Sequence, residues 1–292
     1  MNIELENNDL KIMVRSKGAE LRLLKEKKDG TDYLWNGDPS WWKYCSPILF
    51  PIIGKVKNGK YKVDGKVYEL PQHGLGRISE FELVNKTTDS VSFKLRYSDE
   101  TLKVYPYKFE LTVSYVLTGR SVNVTWRVDN LDDREIIFSI GAHPALRCPI
   151  VEGESFSDCY LDFHGEEHCE NMKTDADVLF LYEREKDLYS DKMNLSYDIF
   201  KDGVHVFDNL KTGSITLRST KSKKAITLSA PSYPYMGIWS PEKGGAPFVC
   251  VEPWYGHADY ADFDGDFKDK EGVIALEKSK SFKTGVSSPS PR

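Results

Sequence analysis

Apolar and polar residues alternate with a period of two along most of the chain, first over 10–14 and 21–24, then over 61–63 and 67–70. Strand side chains point to opposite faces in turn, so this pattern predicts strands with one face buried. Asn58-Gly59 and Asp64-Gly65 separate the early runs, and a polar residue before Gly between alternating runs is a hairpin signal. The pattern continues at 81–85 and 91–97. It then lengthens into two runs, 108–117 and 122–129, joined at Thr118-Gly119-Arg120 by the tightest predicted hairpin of the chain. Residues 136–140 are almost continuously apolar and stop at Gly141-Ala142-His143-Pro144, as expected of a strand covered on both faces. Further strands are predicted at 158–163, 204–207, 214–217, 225–228, 236–239 and 248–251. Leu195, Ile199 and Phe200 give 190–200 a helical spacing. Residues 165–177 and 259–270 read as polar loops, and the Ser/Pro-rich end reads as a disordered tail over 286–292.

No long helical period, βαβ alternation or internal repeat accompanies these strands. Roughly 18 or more short strands at spacings of about 8 to 12 residues predict one large, all-β, antiparallel sandwich over 1–285. A chain of 292 residues can form such a sandwich as a single domain. The net charge of -5 comes from near-balanced acids and bases with no long basic run, so nucleic acid is not an expected partner. Five cysteines form no C-x-x-C pair, which fits reduced thiols in a cytosol. The first residues lack a signal-peptide pattern, and no window approaches the roughly 18 apolar residues of a membrane span. The expectation is a cytoplasmic protein with no membrane association.

Three predicted strand ends carry chemistry. The run 248–251 ends in Glu252, followed by Pro253-Trp254-Tyr255-Gly256. A carboxylate at the end of a buried strand, walled by two rings, is a desolvated base beside a stacking surface, and that suits a sugar. A glutamate that merely caps a turn is the plain alternative. His73 and Arg77 lie in a bend rich in glycine, where the backbone can come close to a ligand. His143 follows the fully apolar strand. Each histidine alone is as readily a structural residue, but together with Glu252 they allow general acid and base catalysis on one substrate. Neither a metal nor a cofactor is then required.

Five segments in order carry a resemblance: 46–54 (SPILFPIIG), Pro71-Gln72-His73-Gly74, Gly141-Ala142-His143-Pro144, Tyr235-Met236-Gly237-Ile238-Trp239-Ser240 and Glu252-Pro253-Trp254-Tyr255-Gly256. Across roughly residues 35–275 the chain resembles the aldose 1-epimerase (galactose mutarotase) family, and within it the LacX-like branch. The resemblance implies a β-supersandwich that interconverts the α and β anomers of an aldose. It implies Glu252 as the base that takes the anomeric O1 proton and His143 as the acid that protonates the ring oxygen. It further implies His73 as a hydrogen-bonding group to the substrate, with Trp254 and Trp239 walling the sugar's C–H face. Where the family commonly has arginine this chain has Lys55, and Arg77 is the alternative supplier of a forked donor. The family's substrate-binding aspartate corresponds to Asp202 or Asp208, with Asp202 preferred.

Other patterns lead elsewhere. His164-Gly165-Glu166-Glu167-His168 has metalloprotease spacing, but that spacing works only on a helix, and a glycine-containing segment after a strand predicts a loop. Asp262-Phe263-Asp264-Gly265-Asp266 lacks the glycine and glutamate positions of a calcium loop. Gly74-Leu75-Gly76 lacks the third glycine and helix of a dinucleotide site. The rival function is a non-catalytic carbohydrate-binding protein of the same fold. A hydrolase would need a second carboxylate beside Glu252. Lys55, Arg77 and Arg147 are the cations available for a phosphorylated aldose, so the sequence leaves open which aldose is bound, whether it is phosphorylated, and the oligomeric state.

Overall fold

The longest alternating runs become the longest strands. In the computed structural model, which describes residues 1–289 except 166–168, 187, 188 and 209, Phe109–Thr118 pairs with Ser121–Asn130 across Gly119-Arg120. Every second residue of the hairpin is buried, Leu111, Val113 and Val128 among them, and the alternate residues are more exposed. This hairpin lies inside a nine-stranded antiparallel sheet.

A second sheet of eight strands packs against it. Its strands, in chain order, are β1 (Ile48–Leu49), β2 (Ile140–Ala142), β3 (Ala145–Arg147), β4 (Asn171–Thr174), β5 (Phe180–Glu185), β6 (His205–Phe207), β7 (Tyr235–Trp239) and β8 (Phe248–Tyr255). They are ordered β5-β4-β6-β7-β8-β2-β1, with β3 also paired to β8. Val249, Val251 and Ile238 join the large core cluster that also contains Leu111, Val113 and Val128. Each such side chain contributes on the order of 1.5–3 kcal/mol by leaving water. The other face of β8 is covered as well: Phe248 and Cys250 cluster with Trp35, Ala145 and Ala246, and Trp42 and Trp239 pack on them. Burial on both faces explains the unbroken apolar run at 248–251.

The fold is the large antiparallel β-sandwich that the alternation predicts. Three local expectations change, the first being that 165–177, expected as a polar loop, contains strand β4 (Asn171–Thr174). The Ser/Pro-rich end is not a loose tail from 286: Ser281–Pro289 is one strand paired to Ser121–Asn130, with Val286 buried. Phe282, Thr284, Val286 and Ser288 alternate too, and the strand covers an edge that would otherwise leave backbone groups unpaired. The segment 190–200 forms a short strand, Lys192–Asn194, and a single 3-10 turn, Tyr197–Phe200. Among the described residues the α-helix is instead Asp99–Val104, started by a Ser98–Thr101 capping box that alternation does not reveal. Among the described residues no helix is long and apolar enough to cross a membrane. All five cysteines are buried and none forms a disulfide.

Candidate active site

Register decides the geometry of the site. β2 and β3 flank the break at His143-Pro144, and both pair with β8: Gly141 stands opposite Trp254, and Ala145 opposite Cys250. Continuing that register places His143 opposite Glu252. On the other side of β8, Glu252 is paired with Gly237 of β7. Pro144 has no N–H to give, so the ladder opens there; its carbonyl accepts from Val251 N–H at 3.2 Å, while His143 N–H donates to Pro47 at 3.1 Å. His143 Nε2 then lies 3.1 Å from Glu252 Oε2, with both side chains almost fully buried.

Alternation puts Cys250, Glu252 and Trp254 on the same face of β8, away from the nine-stranded sheet. The Trp254 indole is laid across Gly141 and Gly237. A Cβ at Gly237 would stand 2.6 Å from the ring and one at Gly141 2.8 Å from it, so both positions must lack a side chain for the ring to lie flat. Above this floor opens a cleft of about 510 Å³, lined among others by His73, Arg77, His143, Glu252, Trp239 and Trp42.

His73 reaches the cleft from a bend held in the left-handed region, at φ 63°. That conformation is costly for a residue with a side chain. Gly54 holds it at both ends: His73 N–H donates to the Gly54 carbonyl at 2.8 Å, and Gly54 N–H donates to His73 Nδ1 at 3.1 Å. Because Nδ1 accepts, the ring proton sits on Nε2, and His73 is a fixed N–H donor. Gly54 itself packs against Ala258, whose neighbour Asp259 accepts from Lys57 N–H and pairs with buried Lys270 at 2.9 Å. The predicted acidic loop over 259–270 is therefore anchored by a buried ion pair behind the cleft wall.

Burial sets the protonation of the pair. It pushes the Glu252 carboxyl well above the ordinary carboxylate range, against the pull of the Trp254 indole and the Arg77 charge. Burial, and then the Arg77 charge, lowers His143 to about 3. His73 is also held well below its ordinary value, first by burial and then by His143 and Arg77. Together these shifts favour uncharged side chains, with the proton on the Glu252 carboxyl and His143 a neutral imidazole. Trp42 adds to the burial by stacking on the His143 ring, centroids 4.6 Å apart.

The structure brings together Glu252, His143, His73, Arg77, Trp239 and Trp254. Arg77 donates to the Gln72 carbonyl at 2.7 Å and lies over the Tyr44 ring. Lys55 instead points its ammonium at the Asp177 carbonyl, 3.0 Å away, and is not among the cleft-lining residues. Asp202 is exposed; its neighbours Gly203 and Val204 line the cleft, whereas Asp208 is paired with Arg184 at 2.8 Å. Arg147 borders a separate surface cleft with Asp32 and Trp35. His164 bonds Thr216 at 2.7 Å, and Glu166, Glu167 and His168 of its pattern lie outside the described residues. Trp41, Trp42 and Tyr44 also line the cleft, which the sequence reading missed; the aromatic density of 41–44 just before Ser46-Pro47 is the signal that could have found them.

The sequence model of aldose 1-epimerases matches residues 1–275. The chain belongs to the aldose 1-epimerase family. Protein LacX (chromosomal) of Lactococcus lactis subsp. lactis is 35% identical over 292 residues, covering 96% of this chain and 97% of that protein. The galactose mutarotase related enzyme from Lactobacillus acidophilus superposes with a TM-score of 0.96 at 34% identity, covering 100% of this chain and 98% of that one. A galactose mutarotase-like protein from Lactobacillus casei ATCC 334 gives 0.93 at 31% identity, over the whole of both chains. In this chain Glu252, inside β8, His143, at the break between β2 and β3, and His73, in its bend, line one cleft, and both structural matches cover the whole chain.

Proposed function

We propose that the chain is an aldose 1-epimerase acting on a free aldose, with Glu252 and His143 as the acid–base pair. The observation that carries the reading is the 3.1 Å contact between two almost fully buried proton-transfer groups at the head of an aromatic-floored cleft. One transfer across that contact converts the uncharged pair into carboxylate and imidazolium without exchange with water. Trp254 and Arg77 pull toward the carboxylate but burial outweighs them, so the sugar that fills the cleft supplies the interactions that tip the balance.

In this mechanism the Glu252 carboxylate takes the O1 proton. The C1–O5 bond breaks, its electron pair stays on O5, and O5 takes the imidazolium proton from His143. The open aldehyde rotates about C1–C2 and recloses on its other face, with the two residues in exchanged roles, as microscopic reversibility requires. His73 Nε2–H and Arg77 hold substrate oxygens, and Trp254 and Trp239 meet the C–H face. No second carboxylate stands beside Glu252 among the cleft-lining residues other than Glu242, which lies on the loop after Trp239. The test is polarimetry or NMR exchange on freshly dissolved α-glucose and α-galactose. Acceleration of mutarotation over buffer is expected; sugar binding without acceleration would leave the chain a carbohydrate-binding protein of this fold.

A further inference from the structure

The acid–base reading uses two of three reactive side chains that the register gathers. The third is Cys250, two residues before Glu252 on the same face of β8 and paired with Ala145. His143, Cys250 and Glu252 each offer one donor atom, and these atoms all lie within 4.8 Å of one another. All three residues are buried. Glu252 Oε2 and His143 Nδ1 have no hydrogen-bond partner of good geometry. Anomerisation by proton transfer leaves this thiol no task.

We propose that His143, Cys250 and Glu252 form a binding site for a thiophilic divalent cation, zinc foremost, and that its occupation switches the enzyme off. Thiolate, imidazole and carboxylate together are a donor set for zinc and not for magnesium or calcium. Tetrahedral zinc holds sulfur at about 2.3 Å and nitrogen or oxygen at about 2.0–2.2 Å, which sets neighbouring donors about 3.3–3.8 Å apart. His143 and Glu252 already stand at 3.1 Å, so closure asks the thiol to move by about 1 Å. Coordination takes the proton from the thiol and occupies the lone pairs with which Glu252 and His143 accept protons. The fourth position faces the cleft, from which the ion enters.

The inference about inhibition rests on the proposed activity, whereas metal binding can be read without it. The full-length protein, stripped with a chelator and desalted, is titrated with cobalt(II) alone. A thiolate-to-cobalt band in the near ultraviolet with tetrahedral visible bands is expected, at one cobalt per chain and displaced by zinc. Cys250→Ala and the volume-conserving Cys250→Ser should each lose that band and weaken zinc binding by about 100-fold or more, since even outer-shell partners of a metal ligand contribute 10–100-fold. Both variants should anomerise sugar at the wild-type rate in chelator and resist zinc that stops the wild type. Wild-type zinc affinity in both variants, or a cobalt spectrum without a sulfur band, overturns the proposal. If no sugar is anomerised by the wild type, the functional reading fails while the cobalt titration still decides the metal site.

Discussion

Glu252→Gln separates what the carboxyl does for chemistry from what it costs the fold. The substitution keeps the shape, and its amide can donate to His143 Nε2 across the same 3.1 Å contact. Removing the proton acceptor should slow anomerisation by about 10²–10⁴-fold, the usual contribution of a positioned general base or acid. Stability should move the other way. Because burial raises the folded-state value of Glu252 above its ordinary 4.5, the carboxyl favours folding relative to a neutral isostere nowhere above that pH. Its neutral form is retained in both states below 4.5, and above it the unfolded chain ionises while the folded chain does not. Each further pH unit, up to the folded value, then removes about 1.4 kcal/mol of stability from the wild type and none from the glutamine variant. Urea denaturation from pH 4 to 8 should show the two proteins equal at the acid end and the variant increasingly the more stable toward pH 8. A variant less stable than wild type at pH 7, or a difference that does not change with pH, would refute the claim that this carboxyl is held uncharged by burial.

His143→Asn should lower kcat more than it raises KM in the polarimetric assay; the reverse split would make His143 a binding residue only. Trp42→Ala uncovers the His143 ring, and since burial is the main cause of its lowered value of about 3, the acid limb of kcat/KM should move to higher pH. Gly237→Ala puts a Cβ 2.6 Å from Trp254 and should cost about 1–3 kcal/mol by overpacking, with a raised KM as the floor tilts; calorimetry and kinetics on one preparation check both. Lys270→Met strands the buried Asp259 carboxylate and should destabilise by about 3–5 kcal/mol, and adding Asp259→Asn should recover most of it in denaturant melts.

His143 was legible because it stands where an apolar run is broken by Pro144, and His73 because it lies in a bend rich in glycine; Glu252 lies inside β8, which continues through Pro253 to Tyr255 instead of ending there, and was legible as the one carboxylate in an apolar and aromatic run. These signals could not give the 143–252 register, which emerges only when β2 and β3 both dock on β8. Lys55 and Asp202 were assigned by their place relative to short motifs. A long side chain in a loop takes whatever acceptor the fold brings to it, here the Asp177 carbonyl, and Asp202 sits one residue outside the cleft wall. Trp41 and Trp42 follow no period, and only the aromatic density of 41–44 sets them apart from other loop aromatics. The last strand was hidden by composition: serine and proline mark loops in general, but at 281–289 they alternate with Phe282 and Val286 on a strand that closes the sandwich.

The reactive groups are only half of what makes the site. Glu252 and His143 are almost fully buried, with Trp42 stacked on His143 on one side and the packed β8 strand on the other. That burial would be prohibitive for two permanent charges, yet it is compatible with a pair that carries one proton and can pass it across one contact. A mutarotase neither gains nor loses protons over its cycle, so a dry pair with a conserved proton suits this reaction better than a hydrated acid and base with separate charges. The glycines at 141 and 237 belong to the same logic. They let an indole lie flat beside the carboxyl, and in the proposed mechanism that indole is both the floor under the sugar and a group that favours the ionised Glu252.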